Sequence, residues 1–179
     1  QDDDGTLYLY HVRKHEGNHI YVAEMESDLS RIREGTLKHC ISVQNETWEN
    51  TPDYSTEEIA EGPTLIKRKG TYYLIYSANH FMSVDYGVGY ATAPSPTGPW
   101  TRHSGNPILR KEFLGINGTG HGDIFMDGDD MYYVFHTHAS DEAVRPRHTM
   151  LVEIGFRETD SGIDTIFVDY DTASYLHQN

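Results

Sequence analysis

The sequence has 179 residues, 37% of them hydrophobic and 12% aromatic, which is long enough for one domain with its own core. Its formal net charge of −14 argues against nucleic acids and anionic membrane surfaces as partners, because both attract basic patches. No apolar stretch is long enough to span a membrane. The single cysteine, Cys40, excludes an intrachain disulfide and a metal site built from cysteines.

A hairpin pattern repeats along the chain, at intervals of roughly 60 residues. Segments 5–10, 70–76 and 130–136 each begin with a Gly or Asp turn that leads directly into a strand of β-branched and aromatic residues. Other apolar segments predict the strands that precede or follow these hairpins: 64–67 and 123–126 before the turns, 20–23, 88–91 and 150–154 after the repeats, and 163–170 near the end.

Helix signals are sparse and amount to a short turn capped by Ser55 or Thr56. Turn, strand, loop and strand, repeated three times, predict antiparallel blades and therefore an all-β fold, a β-propeller of four-stranded blades. A closed propeller needs at least four blades. We therefore expect an incomplete set of about three to four blades, whose open edges could pair with another copy of the chain.

Glu61 lies in the run Ala-Glu-Gly-Pro at 60–63, directly before the predicted strand 64–67. The innermost strand of a propeller blade faces the central channel, so a glutamate at its mouth would point at a ligand on the axis. A carboxyl can protonate a leaving oxygen when burial or a nearby negative charge raises its pKa. Glu61 is therefore the candidate catalytic acid, and an ordinary loop glutamate before a strand is the alternative.

His121 lies in the run Gly-Thr-Gly-His-Gly-Asp at 118–123, just ahead of the third repeat. Three glycines let the backbone come close to another group and fix the direction of the imidazole. Because Glu61 holds the same position in the second repeat, we expect both side chains to converge on the axis. His121 is then a candidate for a ligand contact or an axial cation, directly or through water; a turn histidine is the alternative.

Other residues are weaker candidates. His136 and His138 share one face of a strand and could bind zinc, but no third ligand is evident, and we do not expect a zinc enzyme. Arg147 could donate hydrogen bonds to a carboxylate or to sugar hydroxyls, unless it is simply solvated. Ser77 and Asn79 end a strand and are candidate hydrogen-bond partners of a substrate. Four loop aromatics could stack on sugar faces: Trp48, Tyr54, Phe81 and Tyr86.

Taken in order, five segments resemble glycoside hydrolase family 43. They are Asp-Asp-Asp-Gly-Thr-Leu-Tyr-Leu-Tyr at 2–10, Ala-Glu-Gly-Pro at 60–63, Tyr-Tyr-Leu-Ile-Tyr-Ser-Ala-Asn at 72–79, Gly-Pro-Trp at 98–100 and Gly-His-Gly at 120–122. Each segment alone is unspecific, whereas the ordered set is specific and spans nearly the whole chain. The resemblance implies a five-bladed β-propeller that cleaves arabinosyl, xylosyl and sometimes galactosyl linkages of plant polysaccharides with inversion.

The resemblance also implies roles for single residues. Glu61 matches the general acid, His121 a histidine near the axis that often accompanies calcium or another ion, and Arg147 an arginine lining the sugar subsite. An inverting enzyme needs a second carboxylate as its base. In the family this base is an aspartate of the first blade, and an aspartate that tunes the acid's pKa precedes the turn matched by 2–4. We expect both aspartates to be missing from residues 1–179.

We therefore expect residues 1–179 to be a partial propeller domain that lacks the first blade and the start of the second. The whole protein is expected to be an inverting glycosidase, secreted or periplasmic, with an oligo- or polysaccharide substrate, and the fragment alone is expected to be inactive. A non-catalytic carbohydrate-binding propeller is the alternative, and a fructan-acting glycosidase or transferase fits the motifs less well. We expect no organic cofactor and no nucleic-acid or membrane partner.

Overall fold

The computed structural model describes residues 1–52 and 57–176. Three antiparallel sheets hold nearly all of the regular structure in these residues, and strands adjacent in sequence are hydrogen-bonded neighbours in each sheet. The predicted all-β architecture of antiparallel propeller blades is confirmed. The helical turn predicted at Ser55 or Thr56 and the aromatic Tyr54 lie outside the described residues. Within the described ranges, no helix is long and apolar enough to cross a membrane.

The sheets follow one another along the chain. The first has three strands, β1 (Tyr8–Lys14), β2 (Asn18–Glu24) and β3 (Lys38–Ile41). The second has four, β4 (Ala60–Arg68), β5 (Thr71–Ala78), β6 (Gly87–Ala93) and β7 (Thr101–Arg102). A short helix, α1 (Lys111–Leu114), leads to the third sheet, which has β8 (Gly120–Asp127), β9 (Asp130–Thr137), β10 (His148–Arg157) and β11 (Thr165–Tyr175).

The strands predicted from the three hairpin repeats are β1, β5 and β9, and each is present. The sequence does not predict β3 and β7, because strands of four and two residues are too short to show an alternating pattern. The strands β4 and β8 begin earlier than predicted, at Ala60 and Gly120. Glu61 and His121 therefore lie inside these strands and not ahead of them.

The middle sheet is covered on both faces. Tyr73 and Ile75 of β5 belong to a hydrophobic cluster shared with the third sheet, whereas Leu74, Tyr76 and Ala78 belong to one shared with the first. Successive side chains of a strand point to opposite faces, so almost every residue of β5 is buried. This burial explains why the sequence of β5 is an almost continuous apolar run.

The tyrosine excess of the sequence serves this core. The Tyr76 hydroxyl donates to Oε1 of Glu49 at 2.5 Å, and Arg102 of β7 pairs with the same carboxylate, Nε to Oε1, at 2.7 Å. The Glu49 side chain is fully buried, and a buried charge is tolerated when it is paired and hydrogen-bonded. Tyr73 likewise donates its hydroxyl to the carbonyl of Asp164 at 2.8 Å.

The inner strands β4 and β8 of the second and third sheets lie against each other. Across this contact the hydroxyl of Thr64 donates to the carboxylate of Asp123. The pairing of β4 with β5 shifts register between Glu61 and Thr64, and that of β8 with β9 shifts between Gly120 and Asp123. Each shift is a β-bulge, and the two bulges lie at the same end of their sheets.

Candidate active site

Glu61 lies at the bulge of β4, opposite Ser77 of β5. The next residue, Gly62, has a φ of 58°, in the left-handed region that favours glycine. A Cβ on Gly62 would also come within 3.3 Å of the Cα and the imidazole of His121. Pro63 has no N–H to donate, and bulges are among the places in a sheet that tolerate proline. The Glu-Gly-Pro sequence therefore builds a bulge whose backbone rests against His121.

His121 lies in the matching bulge of β8. The two registers place Gly120 where Glu61 stands in β4, and His121 where Gly62 stands. The predicted equivalence of His121 and Glu61 is therefore wrong by one residue, because β8 begins its bulge one residue before the histidine. His121 shares the left-handed backbone of Gly62, with a φ of 51°. Its side chain still reaches the carboxylate of Glu61, with Nδ1 at 3.5 Å from Oε1.

Three side chains surround the Glu61 carboxylate, whose side chain is 16% exposed. The hydroxyl of Tyr86 donates to Oε1 at 2.8 Å, and the amide of Asn18 donates to Oε2 at 3.1 Å. The third neighbour is the His121 imidazole on the Oε1 side. Asn18 is positioned by its own N–H, which donates to the carbonyl of Glu58 at 2.7 Å. The first sheet therefore contributes directly to the orientation of Glu61.

These neighbours set the charge of Glu61. Burial raises the pKa of the Glu61 carboxyl, but hydrogen bonds from His121 and Tyr86, the charge of His121 and a hydrogen bond from Asn18 outweigh it and hold the pKa below its ordinary value. The ionised carboxylate therefore stabilises the fold above the ordinary glutamate pKa, and this stability is lost as the pH falls through the folded pKa. At neutral pH the Glu61 carboxylate is therefore held in a defined orientation, but it is ionised and has no proton to donate.

Tyr86 is the buried member of this set, and its exposed fraction is 0%. Burial, followed by the neighbouring Glu61 carboxylate, raises the pKa of the Tyr86 hydroxyl well above its ordinary value, so it stays a neutral donor. Its ring stacks on the imidazole of His136, with centroids 5.7 Å apart. A Cβ on Gly120 would come 2.4 Å from Cε1 of Tyr86. Glycine at 120 is therefore needed for the tyrosine to lie beneath the site.

Arg147 reaches the site through His136. Burial, and then the nearby Arg147, lowers the pKa of His136 to about 4, so the imidazole is neutral at ordinary pH. Nε2 of His136 consequently accepts a hydrogen bond from Nη1 of Arg147, at 2.9 Å. The His136 ring also lies 6.2 Å from that of His121. The structure thus brings Glu61, His121 and Arg147 to one end of the blades.

Ser77 and Asn79, the other predicted substrate contacts, are fully buried. The Ser77 hydroxyl accepts the backbone N–H of His121 at 2.7 Å, which fixes the bulge of β8. The Asn79 amide donates to the hydroxyl of Thr51 at 2.6 Å and to the carbonyl of Asp85 at 3.4 Å. Both residues therefore support the loops around the site, and their contact with a sugar stays a prediction.

The described residues contain no group of three or more His, Cys, Asp or Glu side chains placed to hold a metal ion. Nδ1 of His121 faces Glu61 and Tyr86, which leaves one imidazole nitrogen for a cation. Calcium prefers roughly six to eight oxygen ligands. These residues do not fit a calcium ion coordinated directly by the protein.

Three contacts of the site were not predicted from the sequence. They are the hydrogen bonds that Asn18 and Tyr86 donate to Glu61, and the one that His136 accepts from Arg147. His138, which was paired with His136 as a candidate zinc ligand, instead bonds through Nε2 to the carbonyl of Phe81, at 2.9 Å. A tyrosine before a strand and an asparagine after a turn carry no local signal of chemistry. For Tyr86 the glycine at 120 is a sequence feature that is consistent with a bulky neighbour.

The chain is similar to known proteins over most of its length. The family model described as glycosyl hydrolases family 43 matches residues 1–161. The β-D-galactofuranosidase xynD of Aspergillus niger is 34% identical over 160 residues, which are 88% of this chain and 42% of that protein. An endo-1,4-β-xylanase structure from Bacteroides thetaiotaomicron is 44% identical, with a TM-score of 0.83, over 94% of this chain and 55% of that one. The structure of a thermostable family-43 glycoside hydrolase is 36% identical, with a TM-score of 0.79 and the same coverage.

The chain therefore spans about half the length of these relatives, or less. The match to the family model includes both bulges, with Glu61 in one and His121 in the other. It also includes the loop that carries Arg147. With a match over most of its length and the fold of the family's solved members, this chain belongs to glycosyl hydrolase family 43.

Proposed function

We propose that this chain supplies the catalytic acid and part of the sugar-binding surface of an inverting glycosidase. Its substrates would be arabinose- or xylose-containing plant polysaccharides or oligosaccharides, met by a secreted or periplasmic enzyme. The observation that carries the proposal is the largely buried Glu61 carboxylate, oriented by three donors in a bulge between two blades. The names of two relatives, an endo-xylanase and a galactofuranosidase, support a pentose or furanose substrate.

Orientation alone does not make Glu61 an acid. Inversion requires a protonated carboxyl on the leaving oxygen and a second carboxylate, roughly 6.5–9.5 Å away, that activates water on the opposite face of the sugar. Asn18, Tyr86 and His121 all favour the ionised form of Glu61. We propose that the base, and a carboxylate that raises the Glu61 pKa, come from outside residues 1–179. These residues alone would then have no turnover.

Arg147 and the buried pair Ser77 and Asn79 are proposed as the sugar-binding residues of this chain. Arg147 has the clearest support, because it is exposed and anchored by one guanidinium nitrogen to His136. Ser77 and Asn79 would act by holding the walls of the subsite. A non-catalytic carbohydrate-binding propeller is the second candidate function, and the lowered pKa of Glu61 favours it.

The acid role predicts a dependence on the leaving group. In the enzyme that contains this chain together with its base, Glu61→Gln is expected to lower kcat on xylo- or arabino-oligosaccharides about 10²–10⁴-fold. The loss on dinitrophenyl glycosides should be much smaller, because that leaving group departs without a proton. Steady-state kinetics on both substrates measures the difference. Glu142→Gln, which changes an exposed glutamate of the loop before Arg147, is the matched control.

An equal loss of kcat on both substrates would contradict the acid role of Glu61. The same assay with residues 1–179 alone should give no turnover of nitrophenyl arabinoside or xyloside. Turnover that Glu61→Gln abolishes would show that the missing carboxylates are not required. Sugar binding without turnover in the longer protein would instead support the non-catalytic propeller.

The charge of Glu61 can be titrated directly. In residues 1–179, ¹³C NMR of the Glu61 carboxyl should report a pKa below the ordinary glutamate value, because its donors stabilise the anion. Tyr86→Phe removes one donor and keeps the ring, so the pKa should rise. Tyr175→Phe, which changes a tyrosine far along β11, should leave it unchanged. An ordinary or raised Glu61 pKa in the unaltered chain would contradict the proposed need for an added carboxylate.

We propose that calcium or another cation binds near His121 with water molecules as most of its ligands. The described side chains do not fit an ion that the protein coordinates directly. The largely hydrated ion would add positive charge beside Glu61. Repeating the titration with calcium chloride should then lower the Glu61 pKa further in the unaltered chain and not in His121→Ala. The same pKa with calcium and with matched sodium chloride would rule the ion out.

Self-association through open sheet edges is the remaining proposal. The strand β1 has β2 as its neighbour on one side and is an edge strand of its sheet on the other, and its Leu9 is 40% exposed. Unpaired strand edges are templates for pairing. Light scattering at high concentration should show dimers or larger species, which Leu9→Lys reduces. Leu29→Lys, in an exposed loop, is the control, and a clean monomer at all concentrations would contradict the proposal.

A further inference from the structure

Two arginines lie against the same aromatic ring at the Glu61 end of the third sheet. Arg145 and Arg147, in the loop between β9 and β10, have their guanidinium carbons 6.0 and 5.6 Å from the ring centre of Phe81. Both are exposed. Within residues 1–52 and 57–176, neither forms an ion pair with a carboxylate. Two arginines without an ion-pair partner in these residues are unexpected in a chain whose net charge is −14.

Two histidines of β9 and the loop after it hold Arg147 and Phe81 in position. One nitrogen of Arg147 donates to His136, at 2.9 Å. The carbonyl of Phe81 accepts a hydrogen bond from Nε2 of His138, at 2.9 Å. The His138 ring occupies the space beside Gly118, where a Cβ would come 2.0 Å from Cδ2. The ring of Phe81 and at least one guanidinium are therefore oriented before any ligand arrives.

Two positive charges beside one ring, neither of them in an ion pair within the described residues, attract an anion to this surface. Guanidinium groups match carboxylates well, because their planar forks donate two parallel hydrogen bonds. The His136 that anchors Arg147 lies 6.2 Å, ring to ring, from His121, whose Nδ1 is 3.5 Å from Glu61. A ligand on the arginines would therefore be a neighbour of the sugar whose bond Glu61 is proposed to cleave.

We propose that Arg145 and Arg147 form a subsite for the carboxylate of a uronic acid residue carried by the polysaccharide. The inference deepens the proposed function and rests on it, since the sugar chain has to reach Glu61 at the same time. Arg147 binds the carboxylate with the donors that His136 leaves free, and Arg145 supplies the second charge. The enzyme then prefers acidic, branched regions of the polymer to neutral ones.

The test compares two ligands that differ in one group. One is a xylo-oligosaccharide that bears a single glucuronic acid branch, and the other is the same molecule with the carboxyl reduced to an alcohol. Isothermal titration calorimetry with the full chain should show binding of the acidic ligand about tenfold tighter or more, as expected for hydrogen bonds between charged groups. Arg145→Gln should remove most of this preference and leave the affinity for the neutral ligand unchanged.

Arg157→Gln is the matched control, because Arg157 is also exposed and lies over an aromatic ring, Phe167, at the far end of β10. It should keep the preference for the acidic ligand. Equal affinity for the two ligands would overturn the subsite and leave the proposed glycosidase intact, whereas failure of both to bind would contradict sugar binding altogether. Competition by inorganic phosphate as strong as by glucuronate would show a general anion site and overturn the assignment to uronic acid.

Discussion

The contact between the bulges of β4 and β8 is the constraint on which the candidate site depends. The two backbones approach so closely that a Cβ on Gly62 would press on His121. A Cβ on Gly120 would overlap the ring of Tyr86, which lies before β6. Missing side chains at these two glycines make the room in which an imidazole and a phenol reach the same carboxylate. The glycines of the two motifs thus determine the position of Glu61 by close packing as much as by backbone freedom.

Orientation and proton affinity are separate requirements for a catalytic acid, and in this chain they oppose each other. The side chains that orient Glu61 donate hydrogen bonds to its ionised carboxylate, so each of these hydrogen bonds also lowers the pKa of Glu61. The buried Tyr86 cannot relieve this effect, because it stays protonated beside the carboxylate. A negative charge close to Glu61 would raise its pKa while the hydrogen bonds that orient it stay in place. The proposed mechanism needs further carboxylates for this reason.

The packing of the middle sheet makes the site rigid. Because β5 is buried on both faces, its last residues cannot move independently of either neighbouring sheet. Ser77, near its end, binds the backbone of His121, and His136, in the same position of β9, binds Arg147. The two second strands therefore carry the supporting groups, while the two inner strands carry Glu61 and His121. The division repeats from blade to blade because the register of the bulges is the same.

Local signals in the sequence predict the hairpins and the antiparallel class, because turn residues and strand alternation are read within a few residues. They also point to Glu61 and His121 as candidate site residues. They place His121 one residue out of register, since a bulge adds a residue that no local pattern reveals. The groups that surround Glu61 depend on the packing of the sheets. Asn18 comes from another sheet, and Tyr86 reaches the carboxylate from beneath a glycine, so both contacts depend on how the blades pack and not on any spacing along the chain.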